Sequence, residues 1–160
     1  MELYFLRHAL AGDRMDWKED DRLRPLTEEG KKRTASSAEK IARLNLGLDA
    51  IITSPLVRAR QTAEIVADRL DMRSKMVEDE SLAPGFGPKE LSEILEKYPD
   101  ANALMVVGHE PDFSDTISTL IGGGDIVCKK GGLVRVTLLN VQALEGQLVW
   151  LIPPKILAGN

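Results

Sequence analysis

An arginine directly followed by a histidine, Arg7-His8, closes the short apolar run Leu3-Tyr4-Phe5-Leu6. A guanidinium beside an imidazole suits a phosphoryl group. The planar fork binds phosphate oxygens in pairs, and a neutral imidazole carries a lone pair that can attack phosphorus. An isolated Arg-His pair is equally what a solvated strand end looks like, so its weight depends on company. Two further stretches supply that company: Arg58, within Ser54-Pro55-Leu56-Val57-Arg58-Ala59-Arg60-Gln61-Thr62, and His109, within Val106-Val107-Gly108-His109-Glu110-Pro111. Singly, Arg58 reads as a surface helix arginine and His109 as a hydrogen-bonded turn residue.

The elements needed to position these groups can be read from the pattern of apolar residues. Leu3 to Leu6, Leu48 to Thr53, Met72 to Val77 and Ala103 to Val107 are short apolar runs of strand length. Helical stripes separate them. Thr27 caps the first, with Glu28 and Glu29 in its opening turn and Gly47 as its stop. The second, carrying Ala59, Ala63, Val66 and Leu70, opens at Ser54-Pro55, a cap followed by a first-turn proline. The third carries Leu91, Ile94, Leu95 and Tyr98, and the fourth, opening at Pro111, carries Phe113, Ile117 and Leu120. Val134 to Leu138 alternates apolar with polar residues, and a turn at Glu145-Gly146 leads into Gln147 to Ile152, giving an antiparallel pair closed by Pro153-Pro154. The order predicts an α/β fold: a three-layer α/β/α sandwich, one domain over 1–160, with a mostly parallel or mixed sheet.

In an open sheet of this kind, ligands collect beyond the carboxyl ends of the strands. Arg7 and His8, Arg58 and His109 all fall at such ends. Arg58 lies in the first turn of its helix, whose amino end adds partial positive charge. Arg60, about 200° further round the axis, faces away, whereas Gln61 and Thr62 share the Arg58 side more closely. The charged stretch from Ala11 to Pro25 and the acidic then Gly/Pro-rich stretch from Glu78 to Pro88 read as loops beside this crevice.

Composition bounds the partners. A net charge of −4 argues against sequence-blind nucleic-acid binding, which needs a basic face. One cysteine, Cys128, forms no intramolecular disulfide and points to a reduced, cytoplasmic setting. With two histidines and that one cysteine a structural zinc site is hard to assemble, and neither a metal nor another cofactor is expected. No window has the length or apolarity of a membrane span, and the start of the chain lacks the pattern of a signal peptide. Without a coiled coil or a long exposed apolar segment, the expectation is a monomer.

The blocks LYFLRHALAG, RPLTEEG, SPLVRARQTA and VVGHEP, in that order, resemble the histidine phosphatase superfamily, which includes the phosphoglycerate mutases. The short chain, the Arg-His-Ala opening and the Ser-Pro-Leu-Val-Arg-Ala-Arg-Gln-Thr block are most similar to its SixA-type phosphohistidine phosphatase branch. Alanine at position 9 replaces the glycine common in the superfamily. The resemblance implies a phosphoglycerate mutase-like fold and a metal-independent phosphatase. His8 would be the nucleophile, transiently phosphorylated, and Arg7, Arg58 and His109 would hold the transferring group. It also implies an acid on the loop after the third strand, where Glu80 stands, with Asp13 and Asp79 as weaker candidates; the competing reading of Glu80 is an exposed loop carboxylate. Arg24, in the RPLT block, could line the rim and touch phosphate or a substrate carboxylate, while Thr27 acts as a cap.

A protonated phosphoimidazole departs as neutral imidazole, so a phosphohistidine substrate can dispense with the acid that an ester needs. Short connections over the crevice would admit a phosphorylated side chain of another protein. The expected substrate is therefore phosphohistidine in a carrier protein. The alternatives are a small phosphorylated metabolite, such as a sugar phosphate or nucleotide precursor, with Glu80 as acid, and a silent phosphate-binding module.

Overall fold

The computed structural model describes residues 1–159. Its frame is one six-stranded sheet built from β1 (Glu2–Arg7), β2 (Ala50–Thr53), β3 (Met76–Glu78), β4 (Ala103–Gly108), β5 (Leu133–Asn140) and β6 (Glu145–Ile152). The order across the sheet is β3-β2-β4-β1-β5-β6. The first four of these run parallel to their neighbours, and β5 and β6 add an antiparallel edge beside β1. The expected mixed α/β sheet is what forms.

Successive side chains of a strand point to opposite faces, and both faces here are covered. Leu3 and Phe5 of β1 join one core with Ile52, Leu104, Val106 and the apolar stripes of α3 (Pro88–Glu96) and α4 (Asp112–Leu120). Tyr4 and Leu6 join the other, with Ile51, Met105 and Val107. There they meet α1 (Glu28–Arg43), α2 (Val57–Arg69) and a terminal α5 (Pro154–Ala158) through Ile41, Ala63, Val66 and Leu157. Burial on both sides explains why β1, β2 and β4 read as unbroken apolar runs rather than alternating ones.

Several boundaries differ from the sequence reading. Thr27 does cap α1, its hydroxyl accepting from Gly30 N at 2.9 Å, but the helix ends at Arg43 and Asn45 takes the left-handed conformation ahead of Gly47. Residues Arg73–Lys75 form a turn of 3-10 helix, leaving only Met76–Glu78 as strand. Positions 141–144 make the turn assigned to Glu145-Gly146, and Pro153-Pro154, read as the close of the antiparallel pair, opens α5. Ser54 and Pro55 precede α2, whose N-cap is Leu56. That shift proves important, because it frees the Ser54 side chain for another partner.

A candidate active site at three strand ends

Register brings the two histidines and Ser54 together. Arg7 lies opposite Gly108 in the β1–β4 ladder, and Thr53 opposite Val107 in the β2–β4 ladder. The pairing runs one step further on each side: His8 N donates to Gly108 O at 3.0 Å and Ser54 N to Val107 O at 2.9 Å. His8, His109 and Ser54 are thus the residues immediately beyond three adjoining strands. The two imidazole centroids stand 5.2 Å apart. Gly108 is required at this junction, because a Cβ there would come within 2.7 Å of the buried Phe113 ring.

His8 is buried, and its Nδ1 lies 2.8 Å from the carbonyl oxygen of Ala9. A carbonyl only accepts, so Nδ1 carries the proton and Nε2 is left with the lone pair. Burial is the main cause holding the His8 pKa down to about 3; the neighbouring His109, Arg58 and Arg7 add to it, and the Ala9 hydrogen bond opposes it. His109 is lowered to about 4 by burial first and Arg58 next, with Asp21 opposing. Both rings are neutral at pH 7. Loss of solvent is the larger cause in both rings, ahead of the flanking arginines.

The expected cage residues converge, each with a polar atom left over. Arg7 donates through Nη1 to Cys128 O at 2.9 Å, and its buried Nε has no partner. Arg58 donates through Nη1 to Asp21 O at 2.8 Å and through Nη2 to Asp21 Oδ2 at 3.0 Å, and its Nε is likewise buried and unpartnered. The Nδ1 of His109 completes the set, while its Nε2 meets Ser54 Oγ at 2.8 Å. Native interiors seldom leave buried polar groups unmet. Three such atoms on three cationic or imidazole side chains around one nucleophile fit a set of donors made for the oxygens of an anion.

Other candidates are committed elsewhere. Arg24 is buried rather than on the rim, and it ties the loop together through Asp21 Oδ1 at 2.8 Å and Gly12 O at 2.5 Å. Glu80 sits on an exposed turn of 3-10 helix, paired with Arg22 at 2.8 Å. Asp13 accepts from Met15 N, and Asp79 from Ser81 N and Lys97. Arg60 turns away from the site toward Glu64 and Glu78, as its position on the helix predicts.

Three contributors escaped the sequence reading or were given another role. Asp21, hidden within a charged loop, joins Arg58 to Arg24; its i, i+3 spacing to Arg24 was the available signal. Thr62 accepts from Ala9 N at 3.1 Å and donates to Arg58 O at 2.8 Å, tying α2 to the turn that carries His8. Glu110 is partly buried; burial pushes its carboxyl up, while Ser114 hydrogen bonding and Arg7 pull it down. Among the described residues, no group of three or more His, Cys, Asp or Glu side chains is placed to hold a metal ion. None of the described helices is long and apolar enough to cross a membrane.

The chain resembles several known proteins. An uncharacterized protein of Picosynechococcus sp. is 38% identical over 164 residues, covering 97% of this chain and 98% of that one. The structure of the protein histidine phosphatase SixA complexed with tungstate superposes with a TM-score of 0.84 at 24% identity, covering 96% and 97% of the two chains. The alpha-ribazole phosphatase from Shigella flexneri superposes with a TM-score of 0.75 at 16% identity, covering 96% and 97%. These two structures establish a shared fold. The family model of the histidine phosphatase superfamily (branch 1) matches residues 3–105, a span that holds His8, Arg7 and Arg58, and the chain belongs to that superfamily.

Proposed function

We propose that this protein is a metal-independent phosphatase that works through a phosphohistidine intermediate on His8, with phosphohistidine in a protein as its substrate. The observation that carries the reading is the lone pair on His8 Nε2 beside the unpartnered donors of Arg7, Arg58 and His109. In the first step Nε2 bonds to phosphorus as the substrate's P–N bond breaks. The bonding pair leaves with the substrate imidazole, which departs neutral when its other nitrogen already carries a proton. Arg7, Arg58 and His109 hold the three equatorial oxygens, and catalysis is mainly positioning and charge stabilisation. Water then attacks the phosphorus on His8, releasing phosphate and restoring the neutral ring.

The choice of leaving group rests on the acids available. An ester alkoxide needs a proton, yet Glu80 is exposed and paired with Arg22. Asp21 is held below the usual carboxylate range, its hydrogen bond to Arg24 and the charge of Arg58 outweighing burial. Glu110 is the exception, its carboxyl pushed up by burial and its buried Oε1 without a partner. With the expected acid Glu80 committed to Arg22, a substrate that departs without a proton fits this surround. The SixA structure is of a protein histidine phosphatase, and its fold is matched over nearly the whole chain.

The test is a panel of phosphohistidine carrier proteins against alcohol phosphates. Phosphate release from the carriers, lost in His8→Ala and retained in Glu80→Gln, is the expected result. Turnover confined to alcohol phosphates and abolished by Glu80→Gln would support the small-molecule alternative instead. Binding without turnover would leave a phosphate-binding module.

A further inference from the structure

Ser54 looks from the sequence like a helix cap, but its side chain has two partners, Leu56 N at 3.3 Å and His109 Nε2 at 2.8 Å. Counting hydrogens on this buried pair decides how they are arranged. A serine hydroxyl has one proton and two acceptor lone pairs. One lone pair takes the Leu56 N–H, which can only donate. If His109 carried its proton on Nε2, that N–H would take the second lone pair, and the Ser54 proton would have no acceptor among the described residues. The Nδ1 lone pair of His109 would be unmet too, leaving two buried polar groups unsatisfied. With the proton on Nδ1 instead, Ser54 O–H donates to Nε2, and the sole unmet group is the Nδ1–H. Ser54 is fully buried, so solvent does not rescue the first arrangement, and every unmet buried group is costly.

We infer that Ser54 is a positioning residue that fixes neutral His109 as its Nδ1–H tautomer, so that a second donor-bearing imidazole faces the phosphoryl oxygens. The chemical consequence rests on the phosphatase reading. In the opposite tautomer His109 would present a lone pair to an anion and repel it. In the fixed tautomer it donates a hydrogen bond with no charge of its own, and needs no protonation to do so.

Two-bond proton–nitrogen NMR of the imidazoles tests the inference without any assay of activity. The chain has only two histidines, and a His8→Asn variant assigns which signals belong to which ring. At neutral pH, His109 of the native protein is expected to show its proton on Nδ1 and an unprotonated Nε2. Ser54→Ala should move the His109 proton to Nε2 in whole or in part, leave His8 protonated on Nδ1 as a check on the fold, and weaken inhibition by orthovanadate at least about tenfold. Ser54→Thr, which keeps a hydroxyl, should restore the Nδ1–H pattern. A native His109 protonated on Nε2 overturns the inference even if Ser54→Ala fails to fold; so does a folded Ser54→Ala in which neither tautomer nor vanadate inhibition changes. If the native tautomer is the expected one but no phosphate compound is turned over, the phosphatase reading fails and the tautomer assignment stands.

Discussion

His8 and His109 are the same residue at equivalent places, one step beyond adjoining parallel strands, both buried and both neutral at pH 7. They are used in opposite senses. His8 turns Nδ1 to the backbone, where its N–H donates to the Ala9 carbonyl, and keeps a lone pair on Nε2. His109 turns Nε2 to the protein, where it meets Ser54, and keeps Nδ1 unpartnered. One ring can attack phosphorus and the other can steady the oxygens. The difference lies in the inner partner, an obligate acceptor in one case and a hydroxyl with a proton to give in the other. Residue type alone does not assign a role here; the atom behind the ring does.

One substitution made at both positions exploits this contrast. A carboxamide cannot carry the phosphoryl group, so His8→Asn should lower turnover at least about a thousandfold, as loss of a nucleophile does. Asparagine at position 109 keeps an N–H donor near the place of Nδ1, so His109→Asn should cost about tenfold. His109→Leu, with no donor, should cost about 10²- to 10³-fold, the range for removing one stabilising donor. Steady-state kinetics on a phosphohistidine carrier checks all three. Equal losses for His8→Asn and His109→Asn would erase the proposed division of labour.

Asp21 extends the comparison from the rings to the arginines. Arg7 is held by a backbone carbonyl, whereas Arg58 depends on a loop residue that accepts through both its carbonyl and its carboxylate. Removing that carboxylate loosens one of two fixed points and leaves five guanidinium donors less well directed. Asp21→Ala should raise KM about tenfold with a smaller change in kcat, and Asp21→Asn, which keeps an acceptor, should do less. A fall in KM would mean that Asp21 competes with phosphate for Arg58 instead of positioning it.

The smallest expected effect on turnover is its pH dependence. Since the folded values lie near 3 and 4, kcat/KM should show no acid limb at the ordinary histidine value and should fall only below about pH 4. The stability effect has a definite sign. Unfolded histidines take up protons below about pH 6.5, while the folded rings do not until far lower, so the unfolded state gains as pH falls. Stability is complete above that pH and declines toward pH 4, by about 1.4 kcal/mol per pH unit for each ring at most. Urea unfolding at neutral and mildly acidic pH should show the loss, and His8→Asn should make it shallower.

Most of the frame was legible because the physics that fixes it is local. β1, β2 and β4 are apolar on both faces, so their runs are unbroken, and the residues ending them are chemically conspicuous. Arg7, His8 and His109 could be picked out for that reason, and Arg58 by its place in the first turn of the helix that follows β2. Ser54 and Asp21 could not, because what they do depends on who stands opposite. Ser54-Pro55 has the composition of a helix start, and only the β2–β4 register turns the hydroxyl into a partner for His109. Asp21 is one of several aspartates in a charged loop, distinguished only once the loop folds back over Arg58. Arg24, expected at the rim, is buried for the same reason: two of its guanidinium nitrogens close the loop onto Asp21 and Gly12.

The central claim, that Nε2 of His8 is the attacking atom, is tested most directly by trapping the phosphoenzyme and locating its phosphate. Brief reaction with a phosphohistidine carrier, followed by alkaline quenching and phosphorus–proton NMR or fragmentation mass spectrometry of the peptide carrying His8, reads the position. The account predicts an acid-labile phosphate on His8 at Nε2. Phosphate on Nδ1 of His8, on His109, or on no residue while turnover proceeds would contradict it.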